Sequence, residues 1–118
     1  MQSEVKSIIS AEIVDFNTYR PIDEKSFSFL LMVAVGPKGT MEEELFDIEV
    51  CTPKWLMDNH NLGEMVLGQH KLIVFEFDMQ RILEKVKRLF DSCSGKDWNE
   101  IAIKLSRIGH WEFEDYRA

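Results

Sequence analysis

From Phe27 to Val35 the chain alternates with a period of two. Phe27, Phe29, Leu31, Val33 and Val35 take one side of an extended strand, and Ser28, Leu30, Met32 and Ala34 take the other. One side is strongly apolar and the other nearly so, which suits a central strand. Gly36, Pro37, Lys38 and Gly39 are turn residues, and beyond them Phe46, Ile48 and Val50 alternate with Leu45, Asp47, Glu49 and Cys51. The two segments predict a hairpin with an acidic rim. An earlier strand is expected over roughly Val5 to Phe16, which is rich in Ile and Val with polar residues interleaved, followed by irregular chain through Pro21. Leu72 to Phe77 returns to strand composition, with Ile73, Phe75 and Phe77 on one side.

Helical spacing begins after the hairpin. Thr52 before Pro53 is a start signal, because a hydroxyl can cap the helix and proline lacks the amide that would be orphaned there. That helix, through Trp55, Leu56 and Met57, is expected to end near Asn61 to Gly63. Asp78 caps a longer helix whose stripe is Ile82, Val86, Leu89, Phe90 and Cys93, with Ser94 and Gly95 as the break. Asp97 and Glu100 then form the reciprocal pairing of a helix start, and Trp98, Ile101, Ala102, Leu105 and Ile108 share a face up to Gly109. After Gly109 come Trp111, Glu112, Phe113, Glu114, Asp115 and Tyr116, too charged for a core and too aromatic for a purely solvated tail.

Strands that open as a hairpin and helices gathered toward the end predict an α+β fold, with a roughly four-stranded antiparallel sheet and helices packed on one face in two layers. Residues 1–118 read as a single domain, since 118 residues at 45% hydrophobic content support one core and no linker or repeat divides them. Trp55 and Trp98 lie at apolar-face positions in first helical turns and are expected in the core. Trp111 is expected to close the core, with a place in a contact surface as the alternative.

Charge narrows the function classes. Fourteen Lys and Arg against 21 Asp and Glu give a net charge of -7, which repels a phosphate backbone and argues against direct nucleic-acid binding. Residues 1–53 hold four basic and ten acidic side chains, so one end of the sequence makes most of the field. Cys51 and Cys93 sit in apolar patterns and are expected as buried thiols, in keeping with a reducing cytoplasm. The apolar block Phe29 to Val35 is cut short by Gly36 and Pro37, so no membrane span and no signal peptide is expected.

Candidate chemistry is sparse. His60, His70 and His110 have no helical or strand spacing to one another or to a cysteine, and each is expected as a solvated side chain. No zinc or calcium motif is present, so neither metal nor cofactor is expected. Gly36 to Gly39 joins two strands and does not open a helix, so it lacks the amide array that cradles phosphate. The Glu42, Glu43, Glu44 run lies beside a turn, where carboxylates are usually solvated, whereas catalytic carboxylates need enclosure to separate their pKa values. Arg81, Lys85 and Arg88 line one face of the helix after Asp78, expected as a solvated face. The chain is read as no enzyme.

Two long segments and three short ones carry a resemblance. Cys51-Thr-Pro-Lys-Trp-Leu56 and Trp98-Asn-Glu-Ile-Ala-Ile-Lys-Leu-Ser-Arg-Ile-Gly-His-Trp-Glu-Phe-Glu-Asp-Tyr116, with Phe27-Ser-Phe29, Val35-Gly-Pro-Lys-Gly39 and Leu72-Ile-Val74, resemble the eighth immunity-protein family of bacterial polymorphic toxin systems. The resemblance implies a small cytoplasmic α+β protein, encoded beside a secreted toxin, that binds the toxin domain and protects the producing cell and its kin. It implies no catalytic residue. The stretches Thr40 to Glu44 and His60 to Val66 fall outside it.

A cognate toxin domain is thus the expected partner, met by stoichiometric protein-protein contact. The contact is expected to draw on Glu42, Glu43, Glu44, Asp47 and Glu49 of the hairpin, or on Trp111, Glu112, Glu114, Asp115 and Tyr116 of the tail. Sequence leaves open whether these groups are adjacent in space, and what the oligomeric state is. A non-catalytic oligomeric or adaptor module is the alternative, and a small-molecule enzyme a weaker one.

Overall fold

The computed structural model describes residues 1–114. Its elements run β1 (Ser3–Ile9), β2 (Ser28–Pro37), β3 (Glu44–Cys51), α1 (Pro53–Asn59), β4 (Lys71–Ile73), α2 (Met79–Phe90), α3 (Trp98–Leu105) and β5 (His110–Trp111). The class is α+β, as the order of periods predicts. The sheet order is β1-β2-β3-β4, with β5 also beside β3.

Alternation decides which face is covered. Phe29, Leu31, Val33 and Val35 of β2 and Phe46, Ile48 and Val50 of β3 lie on the core side, and each is at most 2% exposed. Ile82, Val86 and Phe90 of α2 and Ile101, Ala102 and Leu105 of α3 close over them. Each large apolar side chain so buried contributes about 1.5–3 kcal/mol of transfer free energy. The helix starts are those the sequence signals: the Thr52 hydroxyl accepts from the Trp55 amide, Asp78 from Arg81 and Asp97 from Glu100.

The structure corrects several boundaries. β1 stops at Ile9, and Ile13 continues into the core from irregular chain. Its start is tied to the end of α2, where the buried Ser3 hydroxyl donates to the Phe90 carbonyl at 2.6 Å and the Val5 amide donates to Asp91 at 2.7 Å. The sheet is antiparallel at β1–β2, β2–β3 and β3–β5, but β4 runs parallel to β3. The reason is the connection: α1 and the chain through His70 form a crossover, which returns the strand in its original direction. β4 itself is only three residues, not the six from Leu72 to Phe77. Past Ile73 the Val74 amide meets the last carbonyl of β3, that of Cys51, at 2.9 Å, and the ladder has no more β3 to follow.

Trp98 packs against the core as expected, but Trp55 does not join it. No residue of α1 is buried, and the half-buried Trp55 ring meets His60 edge-on at 6.2 Å. Among the described residues no helix is long and apolar enough to cross a membrane.

Candidate partner-binding surface

The outer edge of β3 is shared between two short strands. β5 pairs with Phe46 and Asp47 near its start, and β4 pairs with Glu49 to Cys51 at its end. Gly109 makes the β5 half possible. A Cβ there would stand 2.9 Å from the Phe90 ring and 3.0 Å from the Asp47 carbonyl, so only glycine lets the chain leaving α3 press this close to β3. α3 therefore ends at Leu105, and a turn through Ile108 delivers His110 and Trp111 into the sheet.

This brings the acidic hairpin and the start of the tail together. Trp111 lies opposite Phe46 and stacks on it, with ring centroids 6.4 Å apart and planes at 11°. One oxygen of Glu44, Oε1, accepts two indole N–H groups, from Trp98 at 2.6 Å and from Trp111 at 3.1 Å. Glu44 is thus a clasp between β3, α3 and β5. Trp111 takes the core-closing role, half-buried, with its indole donor satisfied inside the molecule.

The expected contact residues divide accordingly. Glu42 and Glu43 are exposed at the turn, Glu112 is exposed after β5, and Asp47 is half-buried opposite His110. Among the described residues the carboxylates of these four make no hydrogen bond or ion pair. Glu44 and Glu49 are engaged internally. Glu49 pairs with Lys71 of β4 at 2.5 Å and accepts from the Ser28 hydroxyl at 2.6 Å. Burial pushes its carboxyl up, but the hydrogen bonds from Lys71 and Ser28 and the lysine charge outweigh that and hold it below the usual glutamate range. Glu114 turns inward, its buried Oε2 standing 3.6 Å from His110 Nε2. Asp115 and Tyr116 lie outside the described residues.

His110 is exposed as expected, whereas His60 and His70 are half-buried. His70 and His110 meet edge-on at 5.7 Å where β4 and β5 adjoin, and His70 Nε2 lies 2.8 Å from the Ser106 carbonyl. His60 Nδ1 lies 3.0 Å from Glu64, whose carboxyl is lowered by the Asn61 amide and by His60. No group of three or more His, Cys, Asp and Glu side chains among the described residues is placed to hold a metal ion. Cys51 is buried and Cys93 half-buried, both as free thiols, and burial pushes the Cys51 thiol up.

The β4 half carries residues that sequence reasoning did not count among the contact residues. Met57, Leu62, Val66, Ile73 and Phe75 are 77%, 108%, 47%, 44% and 84% exposed. Met57, Leu62, Val66 and Ile73 line a hollow of 460 Å³ between α1, the loop after it and β4. Ile73 and Phe75, with Ile82, Arg81 and Lys85, line a second of 460 Å³ between β4 and α2. The signal was there in part, since Leu62, Met65, Val66 and Leu67 make an apolar loop with neither helical nor strand period.

The family model described as Immunity protein 8 matches residues 3–116. No curated protein and no solved structure matches the chain.

Proposed function

Since the chain belongs to the Immunity protein 8 family, we propose that it is a stoichiometric inhibitor which binds the domain of a secreted toxin in the cytoplasm of the producing cell and works without catalysis. The family match over residues 3–116 carries this reading. The edge of β3 supports it physically. Glu42, Glu43, Asp47 and Glu112 offer carboxylates with no partner among the described residues, on a chain of net charge -7. Such a field steers a basic domain into encounter and competes with phosphate for a basic cleft. Solvated carboxylates add only about 0–1 kcal/mol each, so they govern approach more than affinity.

The test uses the toxin domain encoded by the neighbouring gene. Co-expression with this chain is expected to restore growth. Changing Glu42→Lys and Glu43→Lys together is expected to weaken capture of the toxin domain at low salt, with the deficit closing at high salt. Glu44 is left intact because it holds the two indoles. Equal capture by wild type and variant at every salt concentration removes the electrostatic part of the reading, and absence of any association removes the whole.

A further inference from the structure

We infer that the apolar strip around Ile73, from Met57 to Phe75, is where the toxin domain is anchored, so that one half of the β3 edge steers the partner and the other holds it. This rests on the reading above and assigns its affinity to a surface distinct from the acidic one.

Ile73 is the shared wall of the two hollows, so the exposed side chains of Met57, Leu62 and Val66 on one side and Phe75 on the other form a continuous apolar surface. Scattered exposed apolar residues need no explanation, but a contiguous patch with concavities does. The backbone is open as well. His70 and Val74 bond to β3, so alternation in a parallel ladder turns the N–H and C=O of Lys71 and Ile73 to the outer side, where no strand lies among the described residues.

Most charges around the strip are matched within the chain, with Lys85 of α2 the exception among the described residues lining the two hollows. Lys54 pairs with Asp58 at 2.8 Å, Lys71 with Glu49 and Arg81 with Glu76 at 3.8 Å, while His60 lies against Glu64. Covering this surface therefore strands few unpaired charges, which is what the centre of an interface needs. The acidic half is the opposite, with unpaired carboxylates suited to a rim. The two halves are continuous, because β4 and β5 lie on the same edge of β3 and His70 touches His110 between them.

Charge also selects the occupant. A second copy would set a net charge of -7 against another, whereas a basic domain meets Glu42, Glu43 and Asp47 while its apolar groups enter the hollows. The partner fitted by this edge is a folded domain with a basic border and apolar projections either side of Ile73.

The experiment measures binding kinetics of purified chain and the neighbouring gene's toxin domain, with Ile73→Ser and Phe75→Ser as variants and circular dichroism to confirm their fold. Each variant is expected to dissociate about tenfold faster while keeping the association rate and its salt dependence. The Glu42→Lys, Glu43→Lys variant is expected to do the reverse. Unchanged dissociation in both strip variants overturns the assignment. So does a wild-type chain that is dimeric by light scattering and made monomeric by Phe75→Ser, since a second copy then occupies the strip. A wild type that never binds the toxin domain takes down the underlying reading, a result that looks different from either.

Discussion

Phe46 and Phe75 are the same residue type bordering the two halves of one sheet edge, and they have opposite fates. Phe46 is fully buried, with its ring 5.7 Å from that of Phe90 and stacked under Trp111, whereas Phe75 is 84% exposed. The difference lies in what reaches them. Gly109 lets β5 close over the first half, and the Glu44 clasp ties both indoles there. β4 ends at Ile73 as β3 runs out, and the chain turns to the Asp78 cap with Val74 and Phe77 packed against the core but Ile73 and Phe75 still outside. An aromatic on an edge is structural when a neighbouring strand covers it, and available to another molecule when none does.

The sharpest way to break this contrast is to truncate both rings. Phe46→Ala is expected to cost about 3–5 kcal/mol in urea denaturation, because a fully enclosed ring leaves a cavity that its neighbours fill only partly. Phe75→Ala is expected to stay within about 0.5 kcal/mol of wild type, as exposed substitutions do. Similar losses at the two sites would mean that the β4 half is as closed as the β5 half.

A second comparison isolates the clasp. Glu44→Ala removes the shared acceptor of two half-buried indole N–H groups and is expected to destabilise by about 2 kcal/mol, with a change in tryptophan fluorescence. Its neighbour Glu43, exposed and without a partner among the described residues, is expected to change stability by less than about 0.5 kcal/mol when made Ala. Equal effects would show that the indoles draw nothing from Glu44, and that Glu44 belongs with the steering carboxylates.

Local pattern carried β2, β3 and the caps at Thr52, Asp78 and Asp97, because period and capping chemistry are written within a few residues. What it could not carry is pairing at long range. Glu44 meets Trp98 and Trp111 across 54 and 67 positions, and neither contact has a spacing that could be read. The parallel sense of β4 depends on how a crossover packs, which strand composition does not specify. The same limit applies to the candidate surface: Glu42 and Glu43 were legible as solvated acids. Glu44 and Glu49, identical in type, turned out to be bound internally, and the strip around Ile73 was hidden because it joins a helix residue, a loop without period and a strand face that no spacing connects.

The β4 half has its own clasp, weaker than that of Glu44, and pH separates the two. Lys71 and Ser28 hold the Glu49 carboxyl below its ordinary value of 4.5 against the upward push of burial. A carboxylate lowered by folding stabilises the native state above the unfolded value, and that contribution fades as pH falls through the lowered folded value. Glu49→Gln is therefore expected to cost about 1 kcal/mol near neutral pH, since the pair is only partly buried and keeps some solvent screening. The gap between variant and wild type, measured by urea denaturation across pH, should begin to narrow below about 4.5 and close under more acid conditions. A gap that stays constant into acid would mean that Gln fails for reasons of packing, and that β4 is held on β3 by its backbone ladder without help from the Lys71 charge.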